Sequence, residues 1–172
     1  MALPPKLKNM NFFNEGNSYL GKIKTVVPPK LARKLEGYRG GGMNGTAFVD
    51  LGLSDDGLEL ELTLGGLDLI TLRQFGMEKI DGVYMRFAGA YQRDDTGDYD
   101  SVEIIVRGRH EELDRGEATP GEDTEHKVKS KLVYYKEVIN GVVEVEIDLL
   151  GFKETIGGVD RLEKQRNIIG VV

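Results

Sequence analysis

Leu58-Glu59-Leu60-Glu61-Leu62-Thr63-Leu64 places leucine at every second position with a polar residue in each gap. Period two is the mark of a strand that buries one face and wets the other. Turn chemistry bounds it on both sides: Ser54-Asp55-Asp56-Gly57 before and Gly65-Gly66 after. The period then changes. Leu69, Ile70, Leu72 and Phe75 fit one helical stripe, and Asp68 is placed to cap its first turn, so a helix is expected over about 67–76.

Working outward, strand-like runs dominate. Residues 18–27 are β-leaning and end at Pro28-Pro29, since proline cannot donate to a ladder. Residues 30–38 alternate, and Thr46 to Leu53 reads as a strand beyond a glycine-rich stretch. Two more strands, 82–92 and 101–109, are joined by the turn Arg93-Asp94-Asp95-Thr96-Gly97-Asp98. A loop from Glu111 to Glu125 carries seven acids and one base. A hairpin over 126–138 and 142–149 turns at Asn140-Gly141, the strongest short hairpin signal. A straight register from that turn puts Val128, Leu132, Tyr134 and Val138 on a core face with Val143, Val145, Ile147 and Leu149. It puts Lys127, Lys129, Lys131, Val133 and Tyr135 on the other, against Glu144, Glu146 and Asp148. A short helix is expected within Gly158 to Arg166, and the chain ends in apolar residues.

Composition bounds the function. The chain has 172 residues, the size of one domain, residues 1–172. Its 23 basic and 29 acidic side chains give a net charge of 23 − 29 = −6, which repels nucleic-acid phosphates. Cysteine is absent, which excludes disulfides and thiol chemistry. Glycine is frequent, 23 residues, as many tight turns between short strands require. No apolar run is long enough to span a membrane as a helix, and the start lacks a signal peptide, so synthesis in a cytoplasm is expected.

The candidate chemical motifs are weak. Gly40-x-Gly42-x-x-Gly45 matches the dinucleotide fingerprint formally, but a strand-like stretch follows where a helix is required. Asp94, Asp95, Asp98 and Asp100 lack EF-hand spacing, because Tyr99 and Ile105 stand where Gly and Glu are needed. His110 and His126 flank the acidic loop without a third ligand signature and read as strand-end residues. A metal-dependent hydrolase at this loop is the enzymatic alternative, and a monomeric β-sandwich binding module using Tyr134 and Tyr135 is another. Ile105, Val133 and Tyr135 on charged faces, and the sticky end, point instead to assembly, with open sheet edges paired between identical subunits around a closed barrel.

The chain also resembles a known family. Pro29-Lys30-Leu31-x-Arg33-Lys34-x-Glu36-x-Tyr38-Arg39-Gly40-Gly41-Gly42-Met43 is similar to the signature stretch of the major tail tube proteins of P2-like contractile-tail phages. So are Gln74-Phe75-Gly76, Tyr91-Gln92-Arg93-Asp94-Asp95-Thr96-Gly97, Val106-Arg107-Gly108-Arg109 and Pro120-Gly121-Glu122-Asp123-Thr124-Glu125. The likeness runs from about residue 3 to the end.

This resemblance implies a mainly β chain, an antiparallel β-sandwich or barrel with a flanking helix. It implies hexameric rings stacked into a tube inside a contractile sheath, part of the virion, with DNA passing through unbound. Pyocin tubes and type VI secretion tubes look like relatives, and a tube of that kind is the alternative. A tape-measure protein and a baseplate initiator are the implied partners; no enzyme activity, catalytic residue, cofactor or metal is implied. The arm at about 38–57 is implied to reach neighbouring subunits, which makes Tyr38, Arg39, Gly40, Gly41, Gly42, Met43, Asn44 and Gly45 interface candidates. The termini mediate ring contacts, which adds Ile168, Ile169, Val171 and Val172. The 58–64 strand and the 126–149 hairpin are expected to surround the channel, with Glu59 and Glu61 or Glu144 and Glu146 facing it.

Overall fold

A computed structural model describes residues 1–171; the interface candidate Val172 lies outside the described residues. The chain enters through β1 (Lys6–Asn14), a two-residue β2 (Asn17–Ser18) and β3 (Ile23–Val27). A hairpin of β4 (Arg33–Tyr38) and β5 (Ala47–Leu53) precedes the leucine strand β6 (Leu58–Leu64) and helix α1 (Leu69–Gln74). The long strands follow: β7 (Val83–Gln92), β8 (Tyr99–Asp114), β9 (His126–Ile139) and β10 (Val142–Asp148). Short β11 (Lys153–Ile156) and β12 (Val159–Asp160) lead into α2 (Glu163–Ile169).

All pairings are antiparallel, in the order β12-β11-β10-β9-β8-β7-β1-β2, with β6 on β9 and β3 on β6. Strand β9 divides one edge between two partners: residues 126–132 pair with β6, and residues 134–139 pair with β10. The sheet curls so that β3 comes back towards β1. Tyr19 links them, its N–H donating to Phe12 O while its own carbonyl accepts from Ile23 N. Leu60, Leu62 and Leu64 meet Phe12, Tyr19, Val83, Met85 and Val106 inside, all at most 2% exposed. The leucine alternation of β6 therefore faces a curled sheet, as its period demands.

The Asn140-Gly141 turn forms as expected, with φ of 52° and 80°, the positive pair a type I′ hairpin requires. Two bulges then overturn the straight register. Val133 has no partner between the pairs Arg107↔Tyr134 and Gly108↔Leu132, and Glu144 is skipped between Val143↔Val138 and Val145↔Glu137. Side-chain parity flips at Val133. Tyr135 turns inward, 2% exposed and opposite Ile147, while Tyr134 and Val138 turn outward. The expected core face was wrong for these three, and for Leu149, which is 44% exposed. Gly108 makes the bulge possible, since a Cβ there would stand 2.1 Å from the Lys131 carbonyl oxygen. The lysines also find other partners. Lys129 and Lys131 lie opposite Glu61 and Glu59 of β6, with Nζ–O distances of 3.5 and 3.6 Å.

Other expectations shift. β8 continues to Asp114, so the acidic loop begins about four residues later than Glu111. The C-terminal helix occupies 163–169 rather than 158–166, because β12 takes Val159 and Asp160. His110 is not at a strand end: it sits within β8 at 6% exposure.

Candidate assembly interface

The hairpin β4–β5 forms a sheet of its own, off the main one. Pairing places Leu35, Gly37 and Phe48 on one face and Tyr38, Ala47 and Val49 on the other. Both faces are open: Leu35, Tyr38 and Phe48 are 55%, 61% and 68% exposed. A lone two-stranded hairpin is marginally stable in water. This one is fixed at its root. Arg33 pairs with Asp50 across the hairpin and with Glu154 of β11, a carboxylate that is 4% exposed. The Asp50 carboxyl is held below the usual carboxylate range by the Gly52 N–H and by Arg33. Lys34 adds an ion pair to Asp55.

The tip is the predicted arm. Gly40 to Gly45 turn the hairpin, and Gly42 takes φ +83°, which favours glycine. A strand follows the glycines, which excludes the dinucleotide reading. Arg39 donates from Nε to the Met43 carbonyl, 3.4 Å, and Met43 Sδ lies 3.1 Å from the Gly40 N–H. Gly41, Asn44 and Gly45 are exposed. At the other end Ile168, Ile169 and Val171 are 83%, 63% and 42% exposed.

The four channel candidates lie on the outward side of the sheet or in its bulge. Glu59 and Glu61 face the lysines of β9. Glu146 is held by Lys153 at 2.8 Å, which lowers its pKa, and it accepts from the Tyr134 hydroxyl. Glu144 is the bulged residue, and its carbonyl accepts from Gly157 N. The aspartates of the β7–β8 turn are taken up locally. Asp95 accepts from the Leu3 N–H and pairs with Arg93, and Asp94 pairs with Lys8.

Sequence reading missed how α1 sits. Its cap is as expected, with Asp68 accepting from Thr71 N at 3.2 Å. The stripe is split: Ile70 packs against the core and Leu72 is half-buried, Leu69 and Phe75 are 51% and 56% exposed, and Thr71 and Gln74 are buried. A polar cluster holds them. His110 Nε2 donates to Gln74 Oε1 at 2.9 Å, and Ser130 Oγ lies 2.8 Å from Nδ1. Gln74 and Asn14 exchange two amide hydrogen bonds at 2.7 Å. The Tyr19 hydroxyl donates to Asp68 at 2.6 Å. Burial and that carboxylate push the Tyr19 pKa up to about 12, and burial pushes His110 down to about 4. A neutral, fully partnered histidine is a structural one. Among the described residues no three His, Asp or Glu side chains group as a metal site. No local signal marks this cluster, because its members lie 20 to 60 positions apart.

The family description "Phage tail tube protein FII" matches residues 4–170, nearly the whole chain. The chain belongs to the phage tail tube protein family. Its relatives include the tail tube protein of Escherichia phage P2, 51% identical over 172 residues, which covers 99% of this chain and 100% of that protein. The major tail tube protein of Serratia phage KSP20 is 40% identical over 152 residues, 88% and 87% of the two chains. Among solved structures, a chain of the sheath–tube complex of an extracellular contractile injection system aligns with a TM-score of 0.56. That match has 9% identity over 80% of this chain and 91% of the other, and it shows the shared fold. As a tail tube protein of contractile phage tails, the chain is a structural subunit and no enzyme.

Proposed function

We propose that six copies close into a ring and that rings stack into the inner tube of a phage tail, a component of the virion. The observation that carries this is the β4–β5 arm, a separate two-stranded sheet with apolar side chains exposed on both faces. Such a surface is stable when a neighbour covers it, and full burial of one large apolar side chain stabilises by roughly 1.5–3 kcal/mol. Tyr38 to Gly45, with Ile168, Ile169, Val171 and Val172, contribute the contacts between subunits. The outward sheet face that carries Glu59 and Glu61, continued by Glu144 and Glu146 of β10, lines the channel. On that face the lysines are paired with glutamates, Lys131 with Glu59 and Lys129 with Glu61, and with a net charge of −6 the subunit offers DNA phosphates no free basic surface there, so DNA passes without binding. A sheath surrounds the tube, a baseplate initiates it and a tape-measure protein sets its length, since stacked heterologous contacts have no limit of their own. The two phage relatives favour a phage tail over a secretion or pyocin tube.

Negative-stain electron microscopy over a concentration series tests this. Rings or tubes with a central channel are expected, alone or on a supplied baseplate or tube end. Protein that stays monomeric and extends neither would overturn the reading.

A further inference from the structure

Asparagine is followed by glycine twice in this chain, at Asn44-Gly45 and at Asn140-Gly141. Such a pair is chemically labile wherever the glycine nitrogen can reach the asparagine Cγ, because no Cβ stands in the way. The fold treats the two pairs in opposite ways.

Asn140 is locked. Its Oδ1 accepts from the Ser101 N–H at 2.9 Å, and its Nδ2 donates to Asp100 at 2.9 Å. Its own N–H donates to the Ser101 carbonyl. Both ends of the carboxamide are therefore held by the first residues of β8. Attack by Gly141 has to break both side-chain bonds, which slows it by roughly tenfold to a hundredfold.

Asn44 is unheld. Met43 is fixed just before it, by its N–H to the Gly40 carbonyl at 3.2 Å and by Arg39 Nε donating to its own carbonyl. Strand β5 begins just after it, at Ala47. Asn44 and Gly45 between them are exposed. Neither the Asn44 carboxamide nor the Gly45 N–H makes a hydrogen bond among the described residues. A Cβ built on Gly45 meets nothing within 4 Å, so no neighbouring group restrains the tip.

We propose that Asn44 is a site of spontaneous deamidation in the free subunit, and that packing into the tube stops the reaction. The Gly45 nitrogen bonds to Asn44 Cγ and closes a five-membered succinimide. The Cγ–Nδ2 bond breaks, and ammonia leaves with the proton that the Gly45 nitrogen gives up. Water then opens the ring at either carbonyl and leaves aspartate or isoaspartate. The first adds a negative charge to the arm tip; the second also adds a methylene to its main chain. The free-subunit reaction stands on these residues alone. The protection rests on the tube reading above, in which Tyr38 to Gly45 lie against another copy.

Free subunits and tubes grown on a supplied baseplate or tube end are held side by side at mildly alkaline pH and digested with trypsin at intervals. Arg39, Arg73, Lys136 and Lys153 bound the two peptides, and each peptide contains one asparagine, Asn44 or Asn140. Mass spectrometry after chromatography separates the amide, aspartyl and isoaspartyl forms. In free subunits the Asn44 peptide is expected to convert at least about tenfold faster than the Asn140 peptide. Gly45→Ala, whose Cβ has room, is expected to slow conversion at Asn44 several-fold and leave Asn140 and the unfolding midpoint unchanged. In tubes the Asn44 rate is expected to fall to that of Asn140. Equal rates at the two sites in free subunits overturn the proposal, whether or not tubes form. Conversion in tubes at the free-subunit rate overturns the protection and leaves the tube reading standing. Wild-type protein that forms no tube on any supplied end overturns the tube reading and the protection, and leaves the site to the free-subunit rates.

Discussion

His110 of β8 and Gln74 of α1 are joined by a hydrogen bond of 2.9 Å that fixes the helix to the sheet by its polar side. Losing either partner leaves a buried polar group unsatisfied, which costs about 1–3 kcal/mol. Gln74→Ala is therefore expected to lower the urea midpoint of unfolding with an unchanged m-value. An unchanged midpoint would show that the cluster is incidental.

The same histidine gives a pH dependence. Burial lowers its pKa from 6.5 to about 4. Between those values the unfolded chain binds the extra proton and the folded chain does not, so stability falls as the pH drops from 6.5 through 4. The shift corresponds to about 3 kcal/mol at most. Unfolding curves between pH 7 and pH 4, compared with those of His110→Gln, check this. The variant is expected to show a shallower loss over that window, and parallel curves would rule the histidine out.

Arg33 is the only cation on Glu154 among the described residues, and it reaches it from 121 positions away in sequence. Arg33→Ala strands a buried carboxylate and also frees the arm root. Because the guanidinium is 37% exposed, the expected destabilisation is about 1–3 kcal/mol, below the range for fully buried pairs. Glu154→Gln, which removes the charge itself, is expected to cost less. Chemical denaturation of both variants decides the order.

Gly108→Ala drives a methyl into the Lys131 carbonyl and the Leu132 backbone, 2.1 and 2.8 Å from the ideal Cβ position. Backbone cannot yield as a flexible side chain does, so a loss of at least ~4 kcal/mol is expected, seen as insoluble or non-cooperatively unfolding protein. Gly41→Ala, with nothing within 4 Å of its Cβ, is the control and is expected to fold normally.

Phe48→Ser separates folding from assembly. The ring is 68% exposed, so monomer stability is expected to change by less than about 0.5 kcal/mol. Tube growth in electron micrographs is expected to be lost. Normal tubes from this variant would remove the arm from the interface.

The sequence by itself determined what depends on near neighbours. The leucine alternation of 58–64 made a half-buried strand, Asn140-Gly141 made the hairpin, and Asp68 set the start of α1. The glycines of 40–45 made the loop between the two strand-like runs. These are local matters, because side-chain period, φ preference and capping reach only a few residues along the chain. Only the tertiary structure decided which side of each element faces in. The close approach of Gly108 to Lys131 places the Val133 bulge, and that bulge sends Tyr135 inward and Tyr134 outward. His110, Ser130 and Asn14 come from three strands to hold Gln74, and leave Leu69 and Phe75 of α1 on the outside while Ile70 packs inward. A pattern of residues says that a face is apolar. What covers it depends on groups far away in sequence.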